Sequence, residues 1–249
     1  MLDGSLRLHA RGVALKPRHA AFDVNVEPGR ILGLAGLDGH GQEAFLTTLA
    51  GLLAPAAGTV TAERSDGRRT PIVRFRQAVA EGIAYLPRDR RRTGIFPTLS
   101  ILDNFALPTA GRDTLLGLIG AGRRRARYEH YKERLSIVAP HPHQPITALS
   151  GGNQQKVLLA RWLALEPRVL LLNDPTRGVD VATRRTLYGV FKELAADGMA
   201  LVVLSSEIEE ILVLCDEVLV FRDHALADRL ETSALRSERV IAAMFGEAA

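Results

Sequence analysis

Leu149-Ser-Gly-Gly-Asn-Gln-Gln-Lys-Val157 runs straight into the helical stretch LLARWLALEP, and Leu170-Leu-Leu-Asn-Asp-Pro-Thr176 with Arg177-Gly-Val-Asp180 follows at once. Taken alone, the first segment is a glycine turn entering a helix. The second closes an apolar run, Arg168 to Leu172, that reads as a buried strand ending in two polar residues. Beyond it, Ala182 to Ala196 is helical, with Leu187, Val190, Phe191 and Leu194 on one face. Ala200 to Leu204 (ALVVL) and Glu217 to Phe221 (EVLVF) read as two further strands.

The N-terminal half supplies a matching unit. Ile31 to Ala35 (ILGLA) is a short apolar strand, followed by Gly36, Gly39 and Gly41 and then by helical spacing from Gln42 to Leu53. Strands alternating with helices of this length predict a parallel sheet covered on both faces. Leu6 to His9, Asp23 to Val26 and Gly58 to Thr61 are short, β-prone and separated by Gly or Pro, as in a small antiparallel layer. Between Pro87 and Gly152 the sequence turns rich in Arg, Ala and Leu and is broken by Pro108, Pro140, Pro142 and Pro145, the texture of a helical insertion. Within it Arg123-Arg124-Arg125 reads as a solvated helix face.

Composition excludes several classes. At 249 residues and 47% hydrophobic, the chain has enough apolar material for a large core, which excludes wholesale disorder. No stretch approaches the ~18 uncharged apolar residues that a spanning helix needs. The richest region, Met199 to Phe221, is interrupted by Glu207, Glu209, Glu210, Asp216 and Glu217. The first residues, MLDGSLRLHARG, lack the apolar core of a signal peptide, so a cytosolic chain is expected. The single cysteine, Cys215, rules out an internal disulfide and a cysteine-built metal site, and no metal site is expected elsewhere. A net charge of +4 permits acidic partners without choosing among them.

Gly36-Leu-Asp-Gly-His-Gly-Gln-Glu43 has the position and glycine spacing of the phosphate-binding loop G-x-x-x-x-G-K-[ST]. Backbone N–H groups at a helix N-terminus favour an anion there. Gln42, however, stands at the lysine position and Glu43 at the hydroxyl position. On its own this segment is either a phosphate loop or a plain strand-to-helix turn.

Together these segments resemble the nucleotide-binding domain of ATP-binding cassette (ABC) transporters. LSGGNQQKV and PTRGVDV resemble its carbohydrate-importer branch of the ribose, galactose and xylose type, where one polypeptide usually carries two fused cassettes. Ile83-Ala-Tyr-Leu-Pro-Arg-Asp-Arg90 and Leu99-Ser-Ile-Leu-Asp-Asn104 make the chain similar to the second of these. The resemblance implies a P-loop NTPase-like α/β fold: a mixed, mainly parallel sheet core with a small antiparallel β layer and an inserted helical subdomain. Residues 1–249 are read as one domain, with the β layer and core at about 1–86 and 160–225, the helical subdomain at about 87–159 and a helical tail at 226–249.

It also implies a mechanism in which two cassettes pair head to tail around two ATP molecules. Each nucleotide lies between the phosphate loop of one cassette and the LSGG signature of the other. Gly36, Gly39, Gly41, Gln42 and Glu43 would form the loop. Asn173 takes the place of the aspartate that supports Mg²⁺, and Asp174 that of the glutamate that polarises water. Arg88 stands at a glutamine position and Ser206 at a histidine position. The adenine-stacking aromatic is missing, since none precedes Phe22. Phosphoryl transfer depends on positioning and charge compensation, and losing one such group costs about 10²–10³ in rate.

The expectation is therefore a degenerate ATP site with little or no hydrolysis of its own. The signature, Ser150, Gly151, Gly152 and Gln154, would act in trans on a partner's ATP, with Asp180 in the interface loop. Expected partners are a second cassette holding Mg-ATP at the composite site, transmembrane permease subunits and, indirectly, a solute-binding protein, on the inner face of the membrane and without nucleic acid. The alternatives are a nucleic-acid-associated ATPase of the same fold and a non-hydrolysing scaffold. Whether the chain is a separate subunit or half of a longer one stays open.

Overall fold

The computed structural model describes residues 5–115, 118–231 and 236–246. Strands β1 (Leu6–Ala14), β2 (Phe22–Val26) and β3 (Ile31–Gly36) lead into helix α1 (Gln42–Leu49). Then come β4 (Ala57–Arg64), β5 (Arg69–Pro71), α2 (Phe75–Glu81) and β6 (Ile83–Leu86). The middle of the chain holds α3 (Ile101–Ala106), α4 (Ala110–Asp113), the two-residue strands β7 (Thr114–Leu115) and β8 (Leu118–Ile119), α5 (Ala121–Arg134) and α6 (Gly151–Leu163). The last part runs β9 (Val169–Asn173), α7 (Val181–Ala196), β10 (Ala200–Leu204), α8 (Ile208–Leu214), β11 (Glu217–Arg222), β12 (Ala225–Glu231) and α9 (Ser237–Phe245).

The chain forms two compact units. The first contains residues 1–85, 168–174 and 191–249, and the second 86–167 and 175–190. Helix α6 runs unbroken from the signature to Leu163 within the second unit.

In the first unit a four-stranded antiparallel sheet, β2-β1-β4-β5, accompanies a six-stranded sheet ordered β12-β11-β3-β10-β9-β6. Strands β9 and β10 are buried at every position, as parallel strands covered on both faces must be. In β2 burial alternates, so only one face meets the core. β3 lies parallel between β11 and β10, and β10 parallel between β3 and β9. Phe45 of α1 packs edge-on against Phe22 at 5.3 Å and tilted against Phe221 at 5.5 Å, which pins the helix after the glycine loop to both sheets. Cys215 is buried against Gly33.

The expected helical tail is corrected at its start. Ala225–Glu231 is a strand paired antiparallel with β11, and only Ser237–Phe245 is helical. Asp223 and His224 both have positive φ (49° and 61°), the conformation of a two-residue hairpin turn whose twist suits paired strands.

In the second unit Phe105, Tyr128 and Ile146 are fully buried, and Phe105 packs edge-on against Tyr128 at 5.6 Å. Arg161, pushed down to about 10 by burial, donates to the carbonyls of Asn104 and Gly94, each at 2.6 Å. Of the arginine triple, Arg123 and Arg125 are exposed, whereas Arg124 pairs with Asp103.

Candidate functional site

The glycine loop joins the C-terminal end of β3 to α1, and the ends of β9 and β10 lie in register with β3: Leu204 pairs with Leu34 on one side and Asn173 on the other. Carboxyl ends of parallel strands are where open α/β sheets bind ligands. Gly41 caps α1 with φ +111°, and a β-carbon there would lie 2.9 Å from the His224 backbone, so only glycine fits.

Gln42 folds back across the loop. Its Nε2 donates to the carbonyls of Gly36 at 3.1 Å and Leu37 at 2.9 Å, and the side chain is buried. The amide therefore braces the loop's shape, but it brings no charge to meet a phosphate. Glu43 adds a negative charge in the first turn of α1, where the helix dipole favours an anion and a resident carboxylate competes with one.

Asn173 is fully buried at the end of β9. Its Nδ2 donates to Glu43 Oε1 at 2.9 Å and lies 3.3 Å from the Tyr85 hydroxyl on β6. Burial pushes the Tyr85 phenol above its ordinary value; the Asn173 bond opposes this and the Glu43 charge adds to it. Tyr85 carries no spacing that ties it to residues 43 and 173, and sequence reasoning missed it.

Magnesium, which the fold family implies, does not fit this arrangement. The two positions that would hold it carry a carboxylate and an amide, and the amide turns its N–H toward the carboxylate. A cation between them would face a donor hydrogen. The amide oxygen of Asn173, on the other arm of the planar group, is buried and unpartnered among the described residues.

Asp174 and Ser206 also meet. Asp174 is buried with φ +45°, its N–H bonds to Leu204 O at 2.8 Å, and its Oδ1 accepts the Ser206 N–H at 2.7 Å. The carboxylate expected to order a water is engaged in joining the ends of β9 and β10.

The second unit holds the signature. Ser150, exposed, is the N-cap of α6 and accepts from Asn153 Nδ2 at 3.1 Å and, more loosely, from Asn153 N at 3.4 Å. Gly152 lies against Thr183, where a β-carbon would come within 2.8 Å of Oγ1. A β-carbon at Gly151 would meet the Arg90 guanidinium, which itself donates to Arg177 O at 2.8 Å. Gln154 turns inward, donating to Leu149 O at 3.0 Å; it braces the loop instead of facing outward. Asp180 caps α7, accepting the Thr183 N–H at 2.9 Å and its hydroxyl at 2.8 Å. Those two bonds hold its carboxyl below the ordinary value. Arg88 is half-buried just after β6, in this second unit.

A family model described as ABC transporter matches residues 20–177. The chain is 37% identical over 243 residues to the ribose import ATP-binding protein RbsA of Pseudomonas putida, covering 98% of this chain and 47% of that protein. With RbsA of Geobacillus kaustophilus the identity is 36%, over 98% and 49%. The chain spans about half the length of the curated relatives it matches. Among solved structures it is similar to the dimeric, post-hydrolysis ATP-binding cassette MJ0796 bound to ADP and Pi, with a TM-score of 0.75 at 20% identity over 90% of this chain and 98% of that one. It is also similar to cbiO1 from Clostridium perfringens, with a TM-score of 0.74 at 17% identity over 94% and 92%. The mixed sheet and its helices form the cassette fold of these proteins.

Proposed function

We propose that this chain, which belongs to the ABC transporter family, is the signature-donating cassette of an importer for a sugar or similar small polar solute. It pairs with a second cassette and supplies Ser150, Gly151 and Gly152 to an ATP held by the partner's phosphate loop. Its own loop contributes shape without hydrolysis. Permease subunits and, through them, a solute-binding protein complete the assembly on the inner face of the membrane. The relatives named for ribose import support the solute class.

One observation carries the reading: an exposed serine caps the 13-residue α6, while the cradle at α1 has a neutral brace at Gln42 and a carboxylate at Glu43. A helix N-terminus with free N–H groups attracts phosphate. A cradle that has lost its cation and gained an anion does not. Among the described residues no helix is long and apolar enough to cross a membrane, so this reading leaves the spanning to other subunits.

Equilibrium dialysis with radiolabelled ATP and Mg²⁺ tests it. Little binding is expected to this chain alone, with binding appearing on addition of a cassette that has an intact lysine-bearing loop. Tight binding by the lone chain, lost in Gln42→Ala, would refute the division of roles.

A further inference from the structure

We infer that the bond from Asn173 to Glu43 is an internal tie that takes the place of a metal ion: it joins the start of α1 to the end of β9 and leaves this loop indifferent to divalent cations. The inference rests on the reading above that this chain's own site is degenerate, and deepens it.

The geometry carries the inference. A divalent cation held between two protein positions needs an oxygen lone pair from each, and hard cations take oxygen ligands only. Here one position offers the carboxylate of Glu43, and the other turns an N–H toward it at 2.9 Å. The amide orientation is set by its surroundings, because rotating it would bring the amide oxygen against the Glu43 carboxylate. The Tyr85 hydroxyl lies near the same nitrogen at 3.3 Å, so the donor end has two oxygens about it. Three elements, α1, β9 and β6, are thereby joined by side chains alone. A hydrogen bond to a charged acceptor is among the stronger ones, and removing its acceptor leaves a buried donor short of a partner.

The carboxylate and the neutral group have in effect exchanged places. The resembled pattern sets a hydroxyl at 43 and a carboxylate at 173, whereas this chain sets a carboxylate at 43 and a neutral amide at 173. A single carboxylate is kept, on an exposed residue, with one of its oxygens taken by the Asn173 N–H. Restoring a second one at 173 makes a like-charge pair that a bound cation, or a proton taken up by one carboxylate, relieves.

The test uses Mn²⁺ as the probe, with nucleotide omitted so that ATP affinity has no bearing on the outcome. Free Mn²⁺ is followed by its paramagnetic resonance signal, and thermal unfolding is recorded with and without the metal. The wild-type chain is expected to bind no Mn²⁺ and to melt at the same temperature in its presence. Glu43→Ala should melt about 2–4 °C lower. Glu43→Gln, whose amide oxygen still accepts the Asn173 N–H, should melt near wild type. Asn173→Asp should melt lower without metal and regain stability as Mn²⁺ binds; should it fail to fold, the wild-type titration and the two Glu43 variants decide. Mn²⁺ binding to the wild-type chain that Glu43→Ala removes, or Glu43→Ala melting with wild type, would overturn the inference.

Discussion

The Asp174 carboxylate accepts the backbone N–H of Ser206 at 2.7 Å, linking the residue after β9 to the loop after β10. Both residues stand where the resembled family places hydrolytic groups, and here they are engaged with each other. Asp174→Ala removes the acceptor of the part-buried Ser206 N–H and should cost about 0.5–1.5 kcal/mol in denaturant unfolding. Asp174→Asn keeps an oxygen at the same place and should cost less. Asp174→Glu moves the carboxylate by one methylene, so it should destabilise without creating hydrolysis in the lone chain. An ATPase rate that rises well above background in Asp174→Glu would mean that the rest of the machinery is intact after all.

Gly152 and Gly151 should differ sharply in their tolerance of a methyl group. At Gly152 a β-carbon meets Thr183, whose hydroxyl is held by Asp180; at Gly151 it meets the far end of the Arg90 side chain. Gly152→Ala is expected to cost about 1–3 kcal/mol as an overpacked site. Gly151→Ala should cost less, because the guanidinium end can swing aside at the loss of its bond to Arg177 O and the Gly178 carbonyl stays 3.2 Å away. Thr183→Ala in the same chain should return part of the Gly152→Ala loss, a coupling that a double-mutant cycle measures. Strict additivity would place the strain elsewhere.

Acid should loosen the start of α7. Thr183 holds the Asp180 carboxyl below its ordinary 3.8 in the folded chain. A depressed carboxyl contributes stability above the unfolded value, and the contribution is lost as pH falls through the folded one. The loss therefore belongs below 3.8. Asp180→Asn should flatten that part of the stability profile and lower stability near neutrality, where the charged carboxyl makes its contribution. A loss appearing instead between pH 5 and 7, by the ordinary range of imidazoles, would point to histidine.

Much of the frame was legible in the residues. The fully apolar runs 169–172 and 200–204 are short and set between helical stretches, as covered parallel strands are, and glycines 36, 39 and 41 leave little but a tight loop before a helix. Less legible were features that depend on where distant side chains meet. The turn at Asp223-His224 carries neither the Gly nor the Asn that usually announces a two-residue hairpin, so β12 was read as helix. Tyr85, Asn173 and Glu43 are separated by 88 and 130 positions in sequence, and no spacing rule brings them together. Gln42 and Gln154 were placed with the ligand-facing residues because position in a motif says nothing of rotamer. Both amides turn to satisfy carbonyls of their own loops.

The most direct measurement is ATP turnover by the assembled importer, containing this chain, a lysine-bearing partner cassette and the membrane subunits. Ser150→Arg puts a bulky side chain at the cap of α6 and should abolish turnover, whereas Gln42→Ala loosens a cradle that holds no working nucleotide and should leave most of it. Loss of turnover in both variants, or in Gln42→Ala alone, would contradict the assignment of this chain as donor of the signature and not of the catalytic loop.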